Sequence, residues 1–395
     1  MKMNKKSIRD IELYGKKIFL RVDYNVQFSG DRILDDHRLR ESIPTIKFLR
    51  DRGARIILCS HRGRPAGQIV EELRNDLVAK HLSSLLNTLV KTCPVSIGPQ
   101  AQNGADALQP GELMLLENVR FHAEEENNDD VFAQQLASLA DIYVSDAFGT
   151  AHRAHASVVG VPKYIPGVTG LLLEREVEYL TKITENPQKP LGLVLGGAKV
   201  SEKLSILSFL SDRADVICVG GGIANTFLAA QGIDIGGSLA EHDRIDDAFT
   251  IMRKAAERDD LKLVLPRDVV ISDPSGEIIE AVSVNRIPPE FRILDIGPET
   301  IDDFRAALAP MNTVAWNGPM GFFEREPFDI GSLAVAKILA DLQNVTTVVG
   351  GGETAAAINR AGVIEDISHC STGGGASLQL LEGRILPGLE ALPDK

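Results

Sequence analysis

Residues 191–199 read Leu-Gly-Leu-Val-Leu-Gly-Gly-Ala-Lys. The apolar run is continuous rather than alternating, as in a strand of a parallel sheet covered by helices on both faces. The two glycines after it suit a tight strand-to-helix turn in which backbone N–H groups can approach an anion. The same order recurs along the chain: further apolar runs lie at 17–22, 54–60, 113–117, 141–145, 215–219, 261–265, 313–316 and 346–349. Helical patterns separate them. In one, Leu39, Ile43, Ile46 and Leu49 share a face and Gly53 follows as a stop. Pro44 falls inside that pattern, so the helix is expected to start or bend there. Strands and helices alternating through glycine turns predict an α/β protein of open, doubly wound parallel sheets of Rossmann type.

A length of 395 residues suggests two domains. Leu173, Val177 and Leu180 mark one face of a charged helix over 172–185, and Asn186-Pro187 closes it before a new strand run begins. We therefore expect domains at 1–171 and 188–377, joined by a hinge helix at 172–187. No fixed-period repeat or low-complexity tract interrupts this order.

With 42 basic and 55 acidic residues, the net charge is −13. That argues against a general nucleic-acid binder or a protein held by charge on an anionic membrane. No apolar run approaches the roughly 18–20 residues needed to span a bilayer. The basic N-terminal stretch at 1–10 lacks the apolar segment of a secretory signal. Cys59, Cys93, Cys218 and Cys370 are far apart and form no ligand cluster, so they read as reduced thiols. The expectation is a cytoplasmic protein.

The second half carries glycine-rich junctions at 196–197, 220–222, 350–352 and 373–375, each after an apolar run. One such turn serves sterics alone; four in one domain point to phosphate binding. Lys199 and Lys203, four apart, are expected on one face of a helix start, where two ammonium groups suit a phosphate. Neither a Walker A pattern nor GxGxxG is present. The turn 316–321 leads to Glu324, either an exposed carboxylate or an acceptor for ribose hydroxyls. In the first half, Arg38, Arg62, Arg64, Arg120 and Arg153 follow strands or sit in turns. Singly each suits a surface ion pair. Together, at the carboxyl ends of successive strands, they would converge on the ligand crevice of a parallel sheet and take a small, strongly anionic substrate. His152 and His155 could serve as metal ligands or acid–base groups, but with no carboxylate or cysteine at a matching spacing they are expected to be structural or to support the residues that touch substrate.

At these residues the sequence closely resembles the phosphoglycerate kinase family, over essentially its whole length. The segments that carry the likeness are Leu20-Arg21-Val22-Asp23-Tyr24-Asn25-Val26, Ser60-His61-Arg62-Gly63-Arg64-Pro65, Leu116-Glu117-Asn118-Val119-Arg120-Phe121-His122, 146–157, 196–203, 316–324, 350–354 and Ser371-Thr372-Gly373-Gly374-Gly375-Ala376-Ser377. The resemblance implies a glycolytic kinase that moves the acyl phosphate of 1,3-bisphosphoglycerate to Mg-ADP, reversibly, by in-line transfer after domain closure. It implies a phosphoglycerate site in the N-terminal domain formed by Asp23, Tyr24, Asn25, Arg38, His61, Arg62, Gly63, Arg64, Arg120 and Arg153. It implies a nucleotide site in the C-terminal domain formed by Lys203, Gly221, Asn317, Glu324, Gly351, Gly352, Glu353 and Thr354. Arg38, Lys199, Lys203 and the N–H of Gly374 would stabilise the transferring group, with Mg2+ at Glu353. The tail, 378–395, would return to the N-terminal domain. The family likeness also suggests a monomer with small-molecule partners only.

Three positions depart from the family pattern. Gln27 replaces a proline and should only loosen a turn. Arg62 replaces a leucine, adding a charge near the substrate or facing solvent. Glu353 replaces an aspartate near the metal, and Mg2+ demands near-ideal octahedral geometry, so weaker Mg-nucleotide use is expected. A pseudoenzyme on this fold is the alternative reading, yet Arg38, Lys203 and Glu324 are all retained. A kinase for another carboxylate would need a changed arginine set, and only Arg62 differs.

Overall fold

The computed structural model describes residues 5–395. The first four residues of the basic N-terminal stretch lie outside the described residues. The chain forms two compact units: the described residues up to Glu178 with Ile385–Lys395, and Tyr179–Arg384.

The strands of the first unit are β1 (Lys17–Arg21), β2 (Phe28–Ser29), β3 (Arg32–Ile33), β4 (Arg55–Cys59), β5 (Val90–Thr92), β6 (Leu113–Leu115), β7 (Ile142–Ser145) and β8 (Gly167–Thr169). Six of them make one sheet in the order β5-β6-β4-β1-β7-β8, parallel throughout. β2 and β3 form a separate antiparallel hairpin. Adjacent residues of β1, Phe19 and Leu20, are both fully buried, which is why this strand reads as a continuous apolar run. Leu20, Val22, Ile56, Leu58 and Val144 join one core cluster with Leu39, Ile46 and Leu49 of the helix His37–Asp51. That helix starts seven residues before Pro44 rather than at it. Proline removes one internal hydrogen bond, while buried Leu39, Ile46 and Leu49 hold the helix to the sheet on both sides of it.

The second unit has β9 (Leu191–Leu195), β10 (Val216–Val219), β11 (Lys262–Val264), β12 (Asp268–Ser272), β13 (Ile279–Ser283), β14 (Arg292–Ile296), β15 (Thr313–Asn317), β16 (Thr346–Gly350) and β17 (His369–Cys370). Its main sheet is again six-stranded and parallel, in the order β11-β10-β9-β15-β16-β17. All nine strands read from apolar runs are present in the two parallel sheets. The short strands β5, β8 and β17 and the antiparallel sheet β13-β12-β14 are additions to that reading. β5, β8 and β17 are only two or three residues long and β13 is largely exposed, so none of these presents a continuous apolar run. All four cysteines are free thiols, three of them buried.

The helix expected at 172–185 runs Leu171–Thr184, and the division between units falls inside it. Its first turn belongs to the first unit, because Asp146 Oδ1 accepts from the Leu172 and Leu173 N–H groups at 2.9 and 3.2 Å. The chain re-enters the first unit only at Ile385, where Leu386, Leu389 and Leu392 are buried and Gly388 N–H donates to Ala151 O. The helix Gly374–Leu381 begins inside the domain expected to end at 377 and runs past that boundary, and the second unit extends to Arg384.

Burial pushes the Asp146 carboxyl up to about 7, outweighing the hydrogen bonds that favour its charged form. The folded chain therefore holds a proton that the unfolded chain releases near pH 4. The resulting stabilisation is complete below that value and is lost as pH rises through 7. Asp146→Asn removes this dependence. Urea titrations should show the advantage of wild type over the variant shrinking by up to about 4 kcal/mol between pH 4 and pH 8.

Candidate functional site

Chain order reverses across each parallel sheet: between β1 and β7 in the first unit, and between β9 and β15 in the second. Ligands of open α/β sheets bind outside the carboxyl ends of the strands at such points. Both places are rich in the residues expected from sequence.

In the first unit, Arg21 ends β1 and is 1% exposed. Its Nε donates to Ser157 Oγ at 2.8 Å, and a terminal nitrogen lies 3.3 Å from His61 Nδ1. Asp23, two residues on, pairs with Arg38 in the first turn of its helix at 2.9 Å. The Asn25 side-chain oxygen accepts from the Gly63 N–H at 2.8 Å, tying the loop after β1 to the turn after β4. Arg120 is buried and donates to Gly63 O at 2.8 Å. Its Nε and second terminal nitrogen have no hydrogen-bond partner, although Glu126 lies 3.2 Å from Nε out of alignment. Arg153 is half-buried and Arg64 exposed.

The electrostatics follow from this convergence. Burial holds His61 well below its ordinary range, and the positive charges of Arg21, Arg120, Arg153 and Arg38 hold it further down. Arg120 is itself pulled down to about 10, by burial first and then by Arg153. His155 falls to about 4, through burial and then Arg120, Arg21 and Arg153. Guanidinium groups crowded until neighbouring imidazoles stay neutral at pH 7 are an anion-binding arrangement.

Two expected substrate residues are not in this cluster. Tyr24 is fully buried, its hydroxyl 2.8 Å from Ser42 Oγ, so its ring belongs to the core. Arg62 is 3% exposed and faces neither solvent nor the anion cluster. Its guanidinium lies 4.4 Å from the Phe28 ring centroid and donates to Arg74 O, anchoring the β2–β3 hairpin. Arg62→Leu should lower stability by about 1–2 kcal/mol, as urea titration would show. Sequence reading missed Arg21 as a site residue because it ends an apolar strand; an arginine inside such a run was the available signal.

In the second unit, the turns after β9 and β15 touch. Gly318 has φ +92°, and a Cβ there would meet Gly196 O at 2.2 Å, so only glycine lets the two turns close. Beside them opens a cavity of about 310 Å3 whose lining includes Gly197, Gly221, Leu239, Phe322, Glu324 and Glu353. That is the lower end of the range of small-molecule pockets. Lys199 and Lys203 do not share a helical face. The helix begins only at Leu204, and the residues before it form turns. Lys199 is exposed, whereas Lys203 is buried and donates to Asn317 Oδ1. Burial lowers the Lys203 amine, opposed by Glu202, Glu353 and Glu382. Asn317 Nδ2 donates to Gly350 O, and Thr354 Oγ1 accepts from the Gly318 N–H, both at 2.8 Å. Gly351 and Gly352 open the helix Gly352–Ala361, and Gly374 opens the helix Gly374–Leu381. Glu241, unforeseen from sequence, accepts from the Ser201 N–H and hydroxyl at 2.8 and 2.6 Å and so holds the lysine-bearing turn.

The phosphoglycerate kinase family model matches residues 8–384. The chain belongs to the phosphoglycerate kinase family. The phosphoglycerate kinase of Pelotomaculum thermopropionicum is 50% identical over 395 residues, all of both chains. That of Moorella thermoacetica is 48% identical, again over the whole of both. Among solved structures, phosphoglycerate kinase from Coxiella burnetii has a TM-score of 0.88 at 40% identity, covering 98% of each chain. The Pyrococcus horikoshii enzyme has 0.86 at 33% identity, with the same coverage. Phosphoglycerate kinases are glycolytic phosphotransferases, and the two parallel-sheet domains of this chain are consistent with their fold. No helix among the described residues is long and apolar enough to cross a membrane.

Proposed function

We propose that this chain transfers the acyl phosphate of 1,3-bisphosphoglycerate to Mg-ADP, giving 3-phosphoglycerate and ATP, and runs in reverse. The observation that carries the substrate half is the group of Arg21, Arg38, Arg120 and Arg153 acting together on His61, with two Arg120 nitrogens unpartnered. On this reading Arg38, Arg64, Arg120 and Arg153 take the anionic groups of the phosphoglycerate. Asp23, Asn25, His61 and Gly63 orient them, and Arg21 fixes His61. Lys199, Lys203, Gly221, Asn317, Glu324, the 351–354 turn and Gly374 take the nucleotide.

The acceptor oxygen is ionised at neutral pH in either direction, so no general base is required. The chemistry asks for in-line positioning and neutralisation of charge on the moving phosphoryl group. On this reading Arg38 and Lys203 supply that charge. Among the described residues, no three His, Cys, Asp or Glu side chains are grouped to hold a metal. Two exposed carboxylates, Glu324 and Glu353, line the cavity, and on this reading Glu324 takes the ribose and leaves Glu353 for the metal. A single carboxylate fits Mg2+ that arrives on nucleotide phosphates, the usual mode for this ion. When bound there, Mg2+ would neutralise phosphate charge. The same reading has the protein act as a monomer in the cytoplasm, on small molecules only.

The test is steady-state ADP formation from 3-phosphoglycerate and ATP at graded Mg2+, for wild type and Glu353→Asp. Saturable turnover supports the proposal, and a lower Mg2+ requirement in Glu353→Asp supports the metal position. No turnover from folded protein at any Mg2+ overturns it.

A further inference from the structure

We propose that Asn118 is a positioning residue for the substrate anion, fixing Arg120 against the turn at 61–64. This rests on the reading that Arg120 takes the phosphoglycerate. β6 pairs with β4 with Leu115 opposite Leu58, so Asn118, just beyond β6, arrives beside the turn that follows β4. It is fully buried.

Its side chain is completely committed. Oδ1 accepts from the Arg62 and Arg120 N–H groups, both at 3.1 Å. Nδ2 donates to Arg62 O at 2.9 Å and to Leu73 O at 3.1 Å. Two N–H groups on one side and two carbonyls on the other set the orientation of the amide. No polar position is left over for a ligand, so Asn118 acts only through what it holds. Its own backbone is seated in turn: Glu117 Oε1 accepts from the Asn118 N–H at 2.8 Å and from the Asn75 N–H at 3.0 Å.

Arg120 is thereby held at both ends. Asn118 takes its backbone N–H, while Gly63 O takes Nη1 at 2.8 Å, and Asn118 fixes that carbonyl's turn through Arg62. The Nε and Nη2 edge of the guanidinium remains, buried and without a hydrogen-bond partner. That edge is the fork that takes two oxygens of a carboxylate or phosphate at once. A fork serves an anion only in one direction, and the asparagine bonds set that direction by joining two segments that are remote in sequence.

Asn118→Ser tests this. Serine can still cap the short helix Val119–Phe121 by accepting from the Arg120 N–H, as Asn118 does, but it is too short to bridge to Arg62 and Leu73. We expect the KM for 3-phosphoglycerate to rise about tenfold and the KM for ATP to stay within about twofold of wild type. A variant that only folded less completely would lose kcat and leave both KM values in place. Arg120→Ala should raise the KM for 3-phosphoglycerate by at least about tenfold. The double variant Asn118→Ser/Arg120→Ala should lie within about threefold of Arg120→Ala alone, because both changes act on one guanidinium. Asn118→Thr, close to asparagine in volume, repeats the test if the serine variant does not fold. Failure of both to fold makes Asn118 a residue of stability alone and overturns the proposal. An equal rise in both KM values, or additive effects in the double variant, also overturns it. If Arg120→Ala raises the KM for 3-phosphoglycerate and Asn118→Ser does not, only the role of Asn118 fails. If Arg120→Ala leaves that KM unaltered, the substrate assignment of Arg120 fails and the role of Asn118 with it.

Discussion

Arg38→Ala lowers kcat by about three orders of magnitude and leaves the fold intact. Arg38 is half-buried, and its hydrogen bonds run to Asp23 at 2.9 Å and, at 3.5 Å, to the Asn25 carbonyl. An ion pair of that exposure contributes about 1 kcal/mol or less, so its loss does not unfold the unit. Turnover is another matter. An arginine that meets charge developing on a transferring phosphoryl group contributes about 10³–10⁵ in rate. The loss should therefore fall in kcat rather than KM, because the interaction is made in the transition state. Arg38→Lys keeps the charge but not the planar fork, and should recover no more than about tenfold. Steady-state kinetics on both variants is the check. A loss confined to KM, with kcat within tenfold of wild type, would make Arg38 an anchor for bound substrate only.

Lys203→Met carries the second large effect, and it divides into two parts. The Lys203 amine is buried against Asn317 Oδ1. Methionine fills the space but leaves that oxygen without a donor, at a cost of about 1–3 kcal/mol. Loss of the ammonium should also cut kcat/KM by about 10³, as charge stabilisation of the phosphoryl group disappears. The double variant Lys203→Met/Asn317→Leu removes that pair but also takes the Nδ2 donor from Gly350 O, so it should regain only part of the stability, without regaining turnover. Urea titration and kinetics on the pair separate the two parts. If the double variant recovers activity along with stability, Lys203 serves only the packing of the turn.

Both variants test residues that were visible in the amino-acid order, although the order did not say how each is held. Lys199 and Lys203 share a helical spacing, yet one is exposed and the other buried, because the chain turns before its helix begins at Leu204. The glycine junctions were legible for a steric reason. Two turns that meet at Gly196 and Gly318 leave no room for a Cβ, so the residue type declares the contact. Tyr24 and Arg62 lie in segments rich in site residues, but sequence adjacency does not give direction. Tyr24 turns into the core toward Ser42, and Arg62 turns onto Phe28.

The sequence by itself determined the layered α/β class and nine of the twelve strands of the two parallel sheets, through continuous apolar runs that only strands buried on both faces require. It also determined the family, through charged and glycine residues whose spacing a binding site demands. Tertiary structure alone decided which charges meet. Arg21, Arg38, Arg120 and Arg153 are up to 132 residues apart (153 − 21), and they act on one imidazole because β1 lies between β4 and β7. Hydrogen-bond partners remote in sequence are chosen by packing, and no local pattern encodes that choice.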